Sequence, residues 1–276
     1  MFLAIFFFSL MNLCVKYLSH IPAVEIVFFR SLISLTISGL FLWQQGIYLL
    51  GSNKKILIIR GVTGTIALVA YFITLQNIPL AGAVTIHHMA PIFTTVLGIA
   101  IVKEKVSRWQ YVFFLLSFIG ILIIQGVDTR ITWEYAVVGI VGAVFTGLAY
   151  NMIRKLKSSE HPLVIIFYFP LVSIPITGLI TLFNWVVPNG WDWMMLLLVG
   201  VLTQLGQFYL TKSYQSEELS KVSVISYIGM LFALAYGFVF FNEHYQFSAY
   251  LGMTLVLFGV VLNLLYKSKW QRKPVG

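Results

Sequence analysis

The chain has 276 residues, 59% of them hydrophobic and only 10% charged, a balance that excludes a water-soluble globular domain. Its net charge of +9 has the sign for nucleic acid, but the charges are distributed as membrane-topology signals, so no nucleic-acid partner is expected. A lone cysteine, Cys14, excludes an internal disulfide.

Breaks at Pro, Gly, Asn and charged residues divide the chain into apolar runs of about 20 to 25 residues. At about 1.5 Å per residue each can cross a hydrocarbon core of about 30 Å. They predict ten spans, near 1–19, 22–45, 55–76, 80–102, 107–126, 132–154, 161–185, 191–213, 218–241 and 247–267. The fold class is therefore all-α integral membrane. The first run lacks a charged leader and a small-residue cleavage site, so it reads as a retained helix. Connections are short and leave no room for a soluble catalytic or binding domain. If the spans alternate, fifteen of the 18 Lys and Arg residues, Arg60 among them, fall at one membrane face; Lys16, Arg30 and Arg130 remain. This positive-inside bias assigns both termini to the cytoplasm, and the cytoplasmic membrane of a bacterium is the expected location. The 7 tryptophans fall at or near span ends, where indole prefers the headgroup region.

The two halves repeat. NLCVKYL at 12–18 lies over NMIRKLK at 151–157, and PAVEIVFF at 22–29 lies over PLVIIFYF at 162–169. Glu104, Tyr111 and Gly120 meet Glu243, Tyr250 and Gly259, each 139 residues on. Residues 1–128 and 129–276 are thus read as two repeats of five spans. An odd number of spans forces the second repeat to enter the membrane in the opposite sense, the inverted topology common among secondary transporters.

The K-Y-L…E-I-x-F-F-R opening, the A-P-I-F-T of the fourth span followed by Glu104, and the F-N-E closing the ninth resemble the EamA branch of the drug/metabolite transporter superfamily. The opening is most similar to S-adenosylmethionine uptake carriers. The resemblance implies a carrier whose central cavity is lined by spans 1 to 4 and 6 to 9, with 5 and 10 peripheral. Known members move amino acids, nucleosides, cofactors, choline-like amines and drugs.

Polar residues inside the spans are the candidate site. Lys16 and Glu25 flank the first hairpin at similar depth, as a gating ion pair, or as a snorkelling lysine and a carboxylate at a helix N-terminus. Arg30 lies some two turns into the second span, where a guanidinium costs about 2.5 to 3.5 kcal/mol on insertion scales. It is expected to face the pathway and hold an anionic substrate group or a gate carboxylate, with Asn12 as a candidate neighbour. His87 and His88 precede Pro91, whose missing N–H kinks the span. Adjacent helical side chains diverge by about 100°, so one histidine is expected to face the cavity and the other a neighbouring helix. Imidazoles titrate near neutral pH, which leaves proton coupling open. No carboxylate or thiol stands at ligand spacing, so neither metal nor cofactor is expected. Tyr71, Gln204, Gln207 and Tyr227 complete the cavity candidates, the two glutamines sharing a face as substrate contacts or helix glue. Glu104 and Glu243 read as structural, each at the start of the last span of its repeat. Gly61, Gly64, Gly139 and Gly142 are expected to permit close helix approach.

The expected function is a secondary-active carrier moving a small organic solute through the lipid bilayer by alternating access. An intramembrane enzyme lacks a G-x-S-x-G or H-E-x-x-H motif, and a passive channel is the third class. The oligomeric state is open between monomer and homodimer.

Overall fold

The computed structural model describes residues 1–101, 107–156, 159–216 and 228–271. Among them the chain forms helices α1 (Phe2–Tyr17), α2 (Ala23–Gln44), α3 (Lys54–Asn77), α4 (Leu80–His87), α5 (Ala90–Ile101), α6 (Arg108–Val127), α7 (Trp133–Leu156), α8 (Pro162–Phe183), α9 (Trp191–Ser216), α10 (Ile228–Phe241) and α11 (Phe247–Gln271). Helices α4 and α5 are one span divided, so these are ten spans in a 5+5 arrangement. The expected kink in the fourth span is a full break at His88 and Met89, with Pro91 in the first turn of α5. Proline is tolerated there because the first-turn N–H groups have no intrahelical acceptor.

The packing follows the inverted repeat. Span 1 packs on span 8 (α1 on α9) as span 6 packs on span 3 (α7 on α3), while α2 pairs with α8 and α6 with α11. Likewise α2 packs on α9 as α8 packs on α3. These are the contacts a two-fold axis in the membrane plane would generate.

Small residues set the closest approaches. A Cβ on Gly61 would stand 2.6 Å from Val172 of α8, and one on Gly142 would stand 3.3 Å from the Ala67 carbonyl of α3. The backbones of α6 and α11 come closer than those of α3 and α7: a Cβ on Gly120 would meet the Gly252 carbonyl at 2.7 Å. Gln110 of α6 donates to Asn263 of α11 at 2.8 Å, and Ser107 caps α6 in a capping box with Gln110. Because this pair is zipped by glycine and buried amides, it can stand at the edge of the bundle with Leu115, Leu122 and Phe258 exposed on its outer face.

Candidate functional site

A cavity of about 280 Å³ runs from mid-bundle to Met1. Its described lining comes from spans 1 to 4 and 6 to 9, with none from α6 or α11. Asn12, Arg30, Tyr71, His87, His88, Gln204 and Gln207 all face it. Tyr227 and Glu104 lie outside the described residues.

Arg30 is held at one nitrogen: its Nε donates to Thr203 Oγ1 at 3.1 Å. Asn12 is not its bonded neighbour, as the spacing suggested, but sits beside the Tyr71 hydroxyl. The Arg30 guanidinium lies 5.2 Å from the centroid of Phe169, and the Arg60 guanidinium lies 4.7 Å from the same ring. Arg60 therefore belongs to the cavity and not to the interfacial charges with which its sequence position grouped it. The sequence carries a faint sign of this, an arginine six residues inside α3, past the Lys54–Lys55 pair that marks the interface. Phe169 has no sequence signal at all among 23 phenylalanines. Among the described residues, no carboxylate lines this cavity.

The break in the fourth span alters the histidines. Both His87 and His88 line the cavity, because the chain leaves its helical path at His88 and the divergence expected of a continuous helix no longer applies. The His87 ring stacks on Tyr71, centroids 4.0 Å apart and planes 27° apart. Gln204 serves as glue as well as lining, donating to Ser38 Oγ at 3.2 Å.

Lys16 and Glu25 do not pair. Lys16 Nζ meets Glu243 Oε1 at 2.6 Å and the Ile78 carbonyl at 2.6 Å, at the end of the bundle opposite Met1. Glu25 instead accepts the Val186 N–H at 3.1 Å. Glu243 takes the place expected of Glu25 because Asn242 adopts a positive φ of 51°, which asparagine tolerates, and the Glu243 N–H turns back to the Gly237 carbonyl at 2.9 Å. A Cβ on Gly237 would stand 2.6 Å from Glu243 Oε2, so the glycine lets the carboxylate lie against the helix without shifting. Glu243 also accepts from the Leu80 N–H and from Tyr245 Oη, each at 2.8 Å. It thus complements the N-terminus of α4 and not that of α11, its own next helix. Arg130 closes the cluster: it forks onto Asp128 at 2.9 and 2.8 Å, donates to the His244 carbonyl at 2.8 Å and covers the Tyr245 ring at 5.1 Å. Around these groups Leu18, Phe72, Leu75, Ile78 and Leu80 are almost wholly buried, so the cluster sits in well-packed apolar surroundings.

Glu25 has a counterpart at the Met1 end. Glu160 accepts the Ser52 and Asn53 N–H groups at 2.7 and 2.5 Å, anchoring the loop between α2 and α3 as Glu25 anchors the loop between α8 and α9. These two carboxylates secure the hairpins at both ends, whereas the Lys16–Glu243 pair joins spans 1 and 9 at one end.

The EamA-like transporter family matches the chain twice, over residues 1–126 and 133–265. The pseudopaline exporter CntI of Pseudomonas aeruginosa (strain UCBPP-PA14) is 37% identical over 244 residues, 87% of this chain and 86% of that protein. Solute carrier family 35 member G1 of Mus musculus is 29% identical over 262 residues, 87% of this chain and 70% of that protein. A solved crystal structure shares the fold with a TM-score of 0.70 and 15% identity, over 98% of this chain and 96% of its own. With each half of the bundle matched in turn, the chain belongs to the EamA-like transporter family and is an integral membrane transporter of small solutes, not an enzyme.

Proposed function

We propose that the chain is a secondary-active carrier of a small organic solute that works by alternating access, its halves 1–128 and 129–276 rocking about the central cavity. The supporting observation is the asymmetry between the two ends: the cavity reaches Met1, while Lys16 and Glu243 join at the other end among buried apolar side chains. With both termini in the cytoplasm of a bacterium, as the basic residues indicate, this is an inward-facing state closed outside. Similarity to a pseudopaline exporter supports outward transport of an organic metabolite. The repeat register sets Lys155 and Glu104 against Lys16 and Glu243. Lys155 is exposed here, and in the outward-facing state we expect it to pair with Glu104. Proton coupling, if the carrier uses it, falls to His87 and His88, the two imidazoles of the cavity.

Site-directed labelling tests the reading without knowledge of the cargo. Replacing Cys14 by alanine removes the lone thiol, and Ser34→Cys places one in the cavity wall. A membrane-impermeant maleimide should reach it readily from the Met1 side and slowly from the other. Equal rates from both sides would mean a channel, and a thiol closed to both would remove the carrier model. Because the opening stretch resembles S-adenosylmethionine carriers, that cofactor belongs in any ligand screen beside amino acids and nucleosides.

A further inference from the structure

Two guanidiniums share the Phe169 ring in a cavity whose described lining contains no carboxylate. Like charges this close repel, and a poorly hydrated environment strengthens the repulsion. The aromatic face offsets part of it through cation–π attraction. The pair is nonetheless built into the helix packing: a Cβ on Gly64 would stand 2.7 Å from Arg60 Nη1 and 2.9 Å from Phe169 Cε2, so a glycine admits the stack. Arg30 is 4% exposed and fixed through Nε to Thr203. Its Nη1, and Nε and Nη1 of Arg60, have no hydrogen-bond partner among the described residues. These donors require acceptors, and guanidinium forks match carboxylate or phosphate oxygens in paired hydrogen bonds.

Beside the arginines the lining offers neutral groups. Asn12 Oδ1 and His87 Nδ1 have no partner among the described residues, and the His87 ring stacks on Tyr71. An unpartnered amide oxygen, and an imidazole nitrogen in its acceptor tautomer, call for a hydrogen-bond donor on the solute.

We infer that the cargo is an organic acid with two acidic groups, one for each of Arg30 and Arg60, and an amine or hydroxyl that reaches Asn12 and His87. This deepens the carrier reading and rests on it. A diacid balances both guanidiniums, whereas a monoacid leaves one cation unmatched, so charge sets the selectivity within the space the cavity allows.

Ligand-induced thermal shifts of the purified protein test the inference directly, since a ligand that binds the native state raises its melting temperature. The probes are aspartate, glutamate, 2-aminoadipate and 2-aminopimelate, each beside its ω-amide, with 2-amino-4-phosphonobutyrate to separate phosphonate from carboxylate recognition. At least one diacid should stabilise the protein. Its ω-amide should bind roughly 10- to 100-fold more weakly, the loss expected for a charge-assisted contact. Arg30→Gln and Arg60→Gln should each erase the preference for acid over amide, while Arg60→Lys keeps most of it. Unliganded melting temperature and elution volume establish that the variants are folded. Amides that bind as tightly as their acids, a preference untouched in Arg60→Gln, or no stabilisation by any diacid would overturn the inference. Binding needs no gate movement, so failure of the carrier reading would appear separately, in the labelling of the Ser34→Cys protein.

Discussion

Glu243→Gln removes one negative charge from the end of the bundle opposite Met1 while preserving shape. The native carboxylate receives Lys16 Nζ at 2.6 Å, the Leu80 N–H at 2.8 Å and the Tyr245 hydroxyl at 2.8 Å, and it is 7% exposed. The amide oxygen can keep one of the neutral bonds. Among the described residues Lys16 then keeps the Ile78 carbonyl and the Phe241 ring, 5.4 Å away. Breaking a buried pair from one side costs about 3 to 5 kcal/mol, and the penalty falls on the closed state because the opened end would admit water to the lysine. Each 1.4 kcal/mol is about tenfold in a population, so the share of protein open at this end should rise at least roughly a hundredfold. In the Cys14→Ala, Ser34→Cys background, the maleimide labelling rate from that side should rise accordingly. Lys16→Gln should act in the same direction, and the double substitution should fall short of the sum of the two, because they remove one interaction. An unchanged rate in a folded Glu243→Gln protein, or full additivity of the two changes, would show that this pair is not the closure.

Tyr245 lies in the connection between α10 and α11, where burial and the neighbouring Glu243 charge raise its pKa above the ordinary tyrosine value. The folded state thus favours the neutral hydroxyl. Its contribution to stability is complete below about pH 10 and is lost as pH climbs from there through the folded value. Thermal stability should fall in that alkaline range, and Tyr245→Phe should flatten this part of the profile. Gly120→Ala pushes a methyl group against the backbone of α11, with the Gly252 carbonyl at 2.7 Å. It should destabilise the bundle by about 1 to 3 kcal/mol in a denaturation titration, yet leave ligand affinity intact because α6 does not line the cavity. If cargo movement is proton-coupled, His87→Ala or His88→Ala should abolish its response to an imposed pH gradient in proteoliposomes. Transport indifferent to both substitutions and to the gradient rules the coupling out.

The spans were legible because a bilayer imposes a length and an apolar composition that any sequence must satisfy locally. The 5+5 repeat was legible for the same reason, since common register survives where individual matches carry little. Glycine spacing also foretold the close helix approaches, and Arg30, deep in the second span, is one of the residues lining the cavity. Partnership between distant residues was another matter. Hairpin geometry placed Lys16 beside Glu25, but the partner came from 227 residues away, delivered by a positive φ at Asn242 and the missing side chain of Gly237. Arg60 read as an interfacial charge because its depth along α3 does not reveal which face of that helix meets α8.

By itself, then, the sequence determined an all-helical membrane protein of two repeated halves and marked Arg30 and the histidines as polar groups inside the spans. The tertiary structure alone decided that both histidines share the cavity, that Arg30 and Arg60 meet on Phe169, and that Lys16 pairs with Glu243. Membrane insertion is a property of each segment taken alone, whereas the pairing of charges depends on how segments far apart in the chain rotate and cross.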